Sequence, residues 1–534
     1  MKIANESYVF TNALAGVINK SLRQGIFPDE LKIARVTPIY KEGPKTDVSN
    51  YRPISLLGSF SKIYEKIMHV RLINFFDSNN LLFDSQYGFR PGRSCEHALL
   101  NAHDTLLKSL NNRQVSILLL LDFSKAFDTV DHNILLAKLA HYGIRGPALK
   151  WLRSYLSDKK QYVSVNNSDS SMKKITYGVP QRSILGPLLF IIYINDIPEI
   201  STIAKFILYA DDANIIVTAN TIEEVYNQIV SLIDNLEDWV HYNGLTLNLK
   251  KTKYLIFSRS KVALPCPLNI SQTPIERKTE TRFLGVIVDE SLNWSRHVKT
   301  VIAKMSRYVG IMYKIKKLLP LKARLQIYHS FVQSHINFCS LVWGFSCKSN
   351  IEAIFCKQKK GLRAVIPGFI NYNYKDGIIP GHTKQYFNEY NILTIHNIIA
   401  LNALVMLNKI RSFPSLLPNS IVATIPTYSP EHGSTHDDCE KWLKTYNTPT
   451  YRNSLFFKGP LLYSTTNFVE HSDIKRTTTP NIFKNKVKKV ILDCQGEGET
   501  IEWEVDNFAL YKCKGLRAGS NKRNKETVRY TQFF

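Results

Sequence analysis

The chain has 534 residues, of which 44% are hydrophobic and 11% aromatic, which excludes a disordered or fibrous protein over most of its length. Lys and Arg (69) outnumber Asp and Glu (44), so the formal net charge is +25. This excess favours a polyanionic partner, nucleic acid or an acidic membrane surface, although a generally basic protein stays an alternative.

A membrane and a metal-thiolate centre are both disfavoured. The longest apolar run, at 115–121, is far shorter than the about 20 residues that span a bilayer. The opening residues MKIANESYVF do not resemble a signal peptide, and none of the eight cysteines has C-x-x-C spacing. We expect an intracellular protein with reduced thiols and no membrane partner.

The N-terminal part alternates helical and extended patterns. The predicted elements, in chain order, are a helix over 7–24, a strand at Lys32–Tyr40, a loop at Asp47–Leu57, a helix at Ser59–Asp77, a loop at 84–95 and a helix ending near Asn111. The apolar positions of the Ser59–Asp77 helix include Ile63, Ile67, Val70 and Phe75.

Two short apolar runs end in carboxylates. SILLLLD at 116–122 is typical of a strand buried on both faces. About 85 residues later, KFILYADDANIIVTA at 205–219 predicts a β-hairpin with arms Phe206–Tyr209 and Ile215–Val217. Helices are expected near 133–157 and 222–241, and further strands at Leu245–Asn248, Tyr254–Phe257 and Arg282–Asp289. The centre of the chain is therefore α+β.

The segment from Ser295 to Arg324 is different in character. It holds nine Lys and Arg residues and no Asp or Glu, with apolar residues at helical spacing. We expect a basic helical module that continues in a second helix from Leu321 to about Ser334. Farther on, the patterns predict a helix near 388–411, a linker over 412–450 and a basic tail in the last twenty residues.

Asp122, Asp211 and Asp212 stand at the ends of these buried strands. Burying a charge is costly unless it is compensated. Carboxylates suit Mg²⁺, and two such ions roughly 4 Å apart would polarise a 3′-hydroxyl and stabilise a leaving pyrophosphate. Three aspartates in matching contexts predict a two-ion Mg²⁺ site, with Mn²⁺ as an alternative ion.

Several motifs follow one another along the chain. They are NYRPISLL (50–57), SQYGFRPGRS (85–94), DFSKAFDTVDH (122–132), YGVPQRSILGPLLFIIYINDIP (177–198), YADD (209–212), LTLNLKKTK (245–253) and FLGVIVD (283–289). In this order they resemble reverse transcriptases of non-LTR retrotransposons of the Jockey and chicken-repeat type. The phrase LPLKARLQIYHSFVQSHINFCSLVWG (319–344) extends the resemblance, which covers about 30–365.

The resemblance implies an α+β, right-hand polymerase fold of fingers, palm and thumb, followed by a mainly helical, partly irregular C-terminal region. The expected divisions are an N-terminal helical segment (1–30), interleaved fingers and palm (31–292), a helical thumb (293–370) and a C-terminal region with linker and basic tail (371–534). It also implies RNA-directed DNA polymerase activity, with an RNA template, a DNA primer and dNTPs as partners, in the nucleus or cytoplasm.

The resemblance also assigns roles in the catalytic centre. Asp122 and Asp211 would bind both metals with Asp212 beside them, and Phe127 would be the steric gate against a ribose 2′-hydroxyl. Asp128 is expected to be structural, because strand alternation would point it away from Asp122. The incoming nucleotide would meet Lys41, Arg52 and Gln181. Lys251 matches a lysine proposed to protonate pyrophosphate, although Lys250 and Lys253 stay alternatives.

Other residues are assigned to the template and primer. Arg90 and Arg93, with Gly88, would lie near the template or nucleotide, and Phe283, Leu284 and Gly285 resemble a primer grip. On the basic helix, Lys304, Arg307 and Lys314 would follow the template–primer backbone.

Two departures from the family pattern qualify the expected activity. The family usually has Gly where this chain has Arg182, in Pro180-Gln181-Arg182-Ser183, and a positive φ there would cost about 1–3 kcal/mol. The chain also lacks room for the N-terminal endonuclease of full-length elements, so we expect a polymerase portion. A catalytically inactive nucleic-acid-binding remnant is the main alternative, ahead of an intron maturase or an RNA replicase.

Overall fold

The computed structural model describes residues 8–366, 383–422, 454–455, 458 and 479–496. The chain divides into two compact units. The first comprises Met1–Leu292 with Pro414–Pro426, and the second comprises Asn293–Phe413 with Thr427–Phe534.

The first unit combines helices with two larger sheets. Its α-helices are α1 (Tyr8–Gln24), α2 (Ser59–Ser78), α3 (Cys95–Asn111), α4 (His132–His141), α5 (Gly146–Leu156), α6 (Leu185–Tyr193) and α7 (Ile222–Tyr242). Its strands are β1 (Ile33–Tyr40), β2 (Tyr51–Leu56), β3 (Val115–Asp122), β4 (Lys160–Val165), β5 (Ser168–Asp169), β6 (Lys173–Lys174), β7 (Lys205–Tyr209), β8 (Asp212–Ala219), β9 (Lys253–Phe257), β10 (Asn269–Ile270), β11 (Thr273–Pro274), β12 (Glu276–Arg277), β13 (Glu280–Phe283) and β14 (Val286–Asp289). The predicted α+β class is confirmed.

The central sheet has the order β12-β9-β3-β8-β7. Strand β3 lies in its middle and is buried from Val115 to Leu121, as its apolar run predicts. Helices α3 and α7 both contact this sheet, and α7 contributes apolar residues to the main core. The predicted hairpin is also confirmed, since β7 and β8 pair antiparallel next to β3.

A second sheet has the order β2-β1-β4-β5, with β6 also paired to β4. The predicted loop at Asp47–Leu57 is wrong, because Tyr51–Leu56 forms β2 and pairs antiparallel with β1. Pro53 suggests a loop from sequence, but β2 is an edge strand, where a proline costs no ladder hydrogen bond.

Other expected elements are interrupted by turns. The single helix near 133–157 is two helices, α4 and α5, separated by a turn in which Gly143 has φ +96°. The segment Arg282–Asp289 is a hairpin of β13 and β14, which turns at Leu284 and Gly285. The strand expected at Leu245–Asn248 is wrong, because its pairing is limited to one bridge between Phe123 and Leu247.

Helix α2 buries a face next to the one expected. Val70 is exposed, whereas Tyr64, Met68, Leu72 and Phe76 are buried. The same face carries Glu65, which is fully buried. Hydrophobic periodicity alone therefore mispredicts which face of α2 is buried, because the buried face includes the polar residue Glu65.

The second unit is helical. Its described helices are α8 (Ser295–Ile315), α9 (Leu321–Tyr328), α10 (Ser334–Asn337), α11 (Ser340–Trp343), α12 (Lys348–Val365), α13 (Lys384–Glu389), α14 (Ile395–Ser412) and α16 (Pro480–Gly496), with α15 (Asn419–Val422) belonging to the first unit. The predicted basic helix is α8, packed against α12. The second helix expected from Leu321 is interrupted by a π-helix at His329–Gln333.

The C-terminal predictions are met only in part. The helix expected near 388–411 begins later, at Ile395. Helical turns at Pro414–Leu416 and α15 replace the start of the expected linker, whereas 423–450 and the basic tail lie outside the described residues. No described helix combines the length and apolar character needed to cross a membrane.

Asp104 on α3 gives the first unit a pH-dependent stability. Its side chain is 6% exposed and forms an ion pair with Lys108, at 2.7 Å. Burial raises the pKa of Asp104 from 3.8 to about 6, against the opposing charge of Lys108. Because the unfolded chain ionises at lower pH than the native one, stability falls as pH rises from about 4 through about 6.

We predict that Asp104→Asn removes this dependence. The difference in unfolding free energy, variant minus natural chain, should rise by about 1–3 kcal/mol between pH 4 and 7. Denaturant unfolding at several pH values measures it, with the exposed Asp234→Asn as control. A difference that is flat or falls with pH would contradict the assignment.

Candidate active site

Three carboxylates meet at one end of the central sheet. Asp122 ends β3, and its register partner is Asp212, the first residue of β8. Tyr209 also pairs with Asp212, so Ala210 and Asp211 form the tight turn between β7 and β8. Ala210 has φ +57°, a left-handed conformation that closes this turn. Strand pairing thus brings together residues that are about 90 positions apart.

Negative charge is concentrated at this end of the central sheet. Burial raises the pKa of Asp211, and the charge of Asp122 raises it further. Burial, Asp211 and Asp122 together raise the pKa of Asp212 to about 6. Lys251 and Arg52 act in the opposite direction on Asp211. The charges of Asp122 and Asp211 therefore make ionisation of Asp212 less favourable, and a cation would relieve this repulsion.

Lys251 is held beside Asp122 by a short turn. The Asn248 N–H donates to the Asp122 carbonyl at 2.7 Å, and the Asn248 carbonyl accepts from the Lys251 N–H at 3.0 Å. The Lys251 ammonium then lies 3.3 Å from Asp122 Oδ2. Lys253, by contrast, pairs through β9 with Leu120. The geometry favours Lys251 over Lys253 for the predicted role, while Lys250 is an exposed neighbour.

The donor chemistry of this end fits a hard divalent cation. Among the described residues, no group of three or more His, Cys, Asp or Glu side chains is arranged so that it could hold a metal ion. Mg²⁺ usually binds through one or two carboxylates and completes its coordination with water and substrate phosphates. Asp122, Asp211 and Asp212 would supply the carboxylates, so an incomplete protein shell is compatible with this ion.

A cleft of ≈ 1570 Å³ opens above the carboxylates. All of the residues predicted to meet the metal or the nucleotide line it. They are Lys41, Arg52, Asp122, Phe127, Gln181, Asp211, Asp212 and Lys251, together with Arg182. The sequence-predicted catalytic and nucleotide residues are therefore neighbours in space, although their individual roles stay predictions.

Phe127 and Gln181 are each held by a contact with another side chain of the first unit. The Phe127 ring packs on Phe190 of α6, with ring centroids 4.7 Å apart. Gln181 Nε2 donates to both carboxylate oxygens of Asp128, at 3.1 and 3.2 Å. Strand β3 ends at Asp122, so Asp128 lies beyond the strand. Strand alternation therefore does not determine the direction of its side chain. Its hydrogen bonds still connect it to Gln181.

Two basic residues of the cleft, Lys41 and Arg52, lie next to or on strands of the second sheet. Arg52 is exposed on β2, and the Lys41 N–H donates to the Asn50 carbonyl at 2.9 Å. The Lys41 ammonium lies 3.9 Å from Glu42, and its side chain is 39% exposed. Both cations are therefore available to solvent at the rim of the cleft.

Arg182 has φ +70°, a left-handed conformation that glycine adopts without strain. Its side chain is exposed and lines the cleft. Backbone strain is therefore expected at Arg182, and its long cationic side chain lies on the cleft side of the loop.

Sequence reasoning missed Glu65, which anchors this loop from below. Glu65 Oε2 accepts from the Ile184 N–H at 2.6 Å at the start of α6, and Oε1 accepts from the Tyr155 hydroxyl at 2.9 Å. Lys159 lies next to them, with its ammonium 3.5 Å from the Tyr155 ring centroid. Burial lowers the pKa of Lys159 to about 7, and Glu65 opposes this shift.

Arg90 and Arg93 are engaged within the chain. Arg90 donates to Asp77 at 3.2 Å, and Arg93 donates to Asp84 at 2.9 Å. Their side chains are only 10% and 11% exposed. This geometry favours a role in holding the loop rather than the predicted direct contact with a template. Gly88 packs so closely that a Cβ there would overlap the Ala210 nitrogen.

The remaining predicted residues are not among those that line the cleft, and they fall into two groups. Phe283 is buried on β13, and Leu284 (φ +45°) and Gly285 (φ +88°) form the following tight turn. In the second unit, the α8 side chains predicted to follow nucleic acid are all exposed. They are Lys304, Arg307 and Lys314.

Residues 41–288 match the family described as reverse transcriptase (RNA-dependent DNA polymerase). The chain is therefore similar to reverse transcriptases over this range. Among curated proteins of Drosophila melanogaster, it is 28% identical over 357 residues to the "Probable RNA-directed DNA polymerase from transposon X-element" and over 368 residues to the "RNA-directed DNA polymerase from mobile element jockey". These matches cover 65% and 66% of this chain and confirm the resemblance to non-LTR retrotransposon polymerases.

The chain spans about two fifths of the curated relatives' length, 39% in each of these two matches. Solved telomerase structures are also similar. The apo telomerase from Candida tropicalis has a TM-score of 0.37 at 11% identity, covering 82% of this chain and 74% of that chain. Telomerase from Candida albicans in complex with a telomeric RNA fragment has a TM-score of 0.37 at 12% identity, covering 68% and 67%.

We predict that Glu65→Ala destabilises the first unit by about 3 kcal/mol or more, because it leaves the Ile184 N–H and the Tyr155 hydroxyl without their acceptor and the buried Lys159 without a nearby negative charge. Glu65→Gln should cost less, since one carbonyl oxygen is kept. Urea unfolding measures both, with the exposed Glu30→Ala as control. An Ala variant as stable as the control would show that this network does not anchor the loop.

Proposed function

We propose that the chain is an RNA-directed DNA polymerase that extends a DNA primer on an RNA template. The observation that carries the proposal is the convergence of Asp122, Asp211 and Asp212 at the floor of a cleft rimmed by cations. The reverse transcriptase match over 41–288 supports the same reaction class. The cleft geometry also supports the proposal, because the residues predicted to bind the metal and the nucleotide line one cleft.

In the proposed reaction, the primer 3′-oxygen forms a bond to the α-phosphorus of a dNTP while the α–β phosphoanhydride bond breaks and pyrophosphate leaves. Two bound Mg²⁺ ions, or Mn²⁺, would activate the hydroxyl and neutralise the leaving group. Asp122 and Asp211 would hold these ions with Asp212 beside them. The protein's contribution is mainly positioning and charge stabilisation.

The cleft residues have distinct proposed tasks. Arg52 and Lys41 would bind the triphosphate, since a guanidinium can contact two phosphate oxygens at once and an ammonium adds a point charge. Lys251, beside Asp122, would donate a proton to the pyrophosphate. Phe127 would exclude a ribose 2′-hydroxyl, supported by the packing of its ring on Phe190. Gln181, held by Asp128, would contact the nucleotide.

The first unit would correspond to fingers and palm, and the helices that begin at Ser295 to the thumb. The turn at Phe283–Gly285 would support the primer end. The exposed cations of α8, Lys304, Arg307 and Lys314, would contact the nucleic-acid backbone, and this binding should weaken steeply with salt. We place the reaction in a retrotransposon ribonucleoprotein, in the cytoplasm and the nucleus.

A second candidate is a nucleic-acid-binding remnant without turnover. Arg182 favours it, because φ +70° strains any side chain with a Cβ and the cation projects into the cleft. The two candidates share the same fold and differ in whether the loop before α6 accepts a nucleotide.

Primer extension on an RNA template distinguishes them. We predict weak or absent product from the natural chain and at least about a fivefold gain for Arg182→Gly, which matches relief of about 1–3 kcal/mol of strain in the productive geometry. Asp211→Asn should abolish the product in either background. The assay uses an annealed DNA primer, dNTPs and Mg²⁺.

The outcomes separate the hypotheses. Equal and robust product from the natural chain and Arg182→Gly would show that Arg182 does not impair the site. Product from Asp211→Asn equal to that of its parent would overturn the metal assignment. Template binding without product, in both the natural chain and Arg182→Gly, would favour the remnant.

A further inference from the structure

The chain returns to the first unit after the helices of the second. Residues Pro414–Val422, here called the C-terminal strap, include a 3₁₀ turn and α15. Leu417 and Ile421 are buried, 8% and 2% exposed, and α15 packs against α3. The strap lies outside the matched region 41–288, so the family match assigns it no role.

The strap forms two polar contacts with one loop. The Ser420 N–H donates to Asp84 Oδ2 at 3.1 Å, and the Ser420 hydroxyl lies 2.7 Å from the Tyr87 hydroxyl. Asp84 also accepts from Arg93, so its carboxylate is held from both sides. Tyr87 is 1% exposed and also accepts from Asn101 Nδ2 at 2.8 Å. Ser420 therefore completes a buried polar network.

The same loop braces the turn that carries the carboxylates. The Leu208 N–H donates to the Ser85 carbonyl at 2.9 Å, and the Tyr87 N–H donates to the Leu208 carbonyl at 2.8 Å. Gln86 Oε1 then accepts from the Ala210 N–H at 3.2 Å. Residues 84–88, here called the brace, thus continue the central sheet beyond β7 and fix the backbone that precedes Asp211.

We propose that Ser420 is a positioning residue: through the Asp84–Gly88 brace, the C-terminal strap holds the Ala210–Asp211 turn in its active geometry. Ser420 contacts neither the cleft carboxylates nor a reacting atom, so it acts through Tyr87 and Gln86. The catalytic consequence rests on the proposed polymerase function. The mechanical coupling of the strap to the turn does not, and it can be measured without any substrate.

Hydrogen–deuterium exchange on the full chain tests the coupling. Ile421→Asp undocks the strap by burying a charge, and Ser420→Ala removes the hydroxyl alone. Peptides covering 84–88 and 206–211 should exchange about tenfold faster in Ile421→Asp and a few-fold faster in Ser420→Ala, as expected for loss of one or more hydrogen bonds. The exposed Ser415→Ala, in the same strap, is the matched control and should leave exchange unchanged.

Strand β9 serves as an internal reference, because β3 and β8 separate it from β7 in the sheet. Faster exchange at 206–211 with β9 unchanged would support the proposal. Unchanged exchange at 206–211 in Ile421→Asp, or equal acceleration in β9, would overturn it, because the first shows no coupling and the second shows global destabilisation.

A second experiment, primer extension in the Arg182→Gly background, tests the catalytic consequence. Ser420→Ala should raise the Mg²⁺ concentration for half-maximal extension several-fold, whereas Ser415→Ala should not. An unchanged Mg²⁺ requirement would overturn the catalytic half of the proposal. If the parent makes no product, the polymerase function itself fails, and the exchange experiment still decides whether the strap controls the turn.

Discussion

The constraint on which the site depends is the repulsion among three carboxylates at one end of a buried sheet. The apolar run of β3 forces this strand into the middle of the sheet, and its pairing with β8 places Asp122 directly opposite Asp212. Burial and mutual charge raise the pKa of Asp211 and Asp212. Such an arrangement is unfavourable for folding alone, so it indicates a functional demand for concentrated negative charge. A divalent cation would satisfy that demand, and phosphates would then bind where carboxylates alone would repel them.

The surrounding structure keeps the turn in place against this repulsion. Lys251 reaches Asp122 from a turn fixed by Asn248, and Gln86 holds the backbone of Ala210 from the opposite side. Below the cleft, the buried Glu65 fixes the start of α6 and with it the loop that carries Gln181 and Arg182. Each of these supports is a hydrogen bond or ion pair between segments far apart in the chain. The cleft is therefore a product of tertiary packing rather than of any single motif.

The sequence predicts those parts of the site that are marked by local patterns. Asp122, Asp211 and Asp212 follow apolar strands, so both the strands and their convergence could be expected. The strand at Tyr51–Leu56 could not, because Pro53 suggests a loop until its edge position is known. Glu65 was missed because its partners Ile184 and Tyr155 are 119 and 90 residues away, and nothing local shows that they meet. The same holds for Ser420, which meets Tyr87 across 333 positions.

Binding of Mn²⁺, followed by electron paramagnetic resonance without nucleic acid or nucleotide, tests the central claim most directly. We predict that the natural chain binds Mn²⁺. Asp211→Asn should weaken this binding by about tenfold or more, because one carboxylate ligand is lost. Asp238→Asn, on the exposed face of α7, should bind as the natural chain does. Equal Mn²⁺ affinity in the natural chain and in Asp211→Asn would contradict the claim that these carboxylates form a cation site.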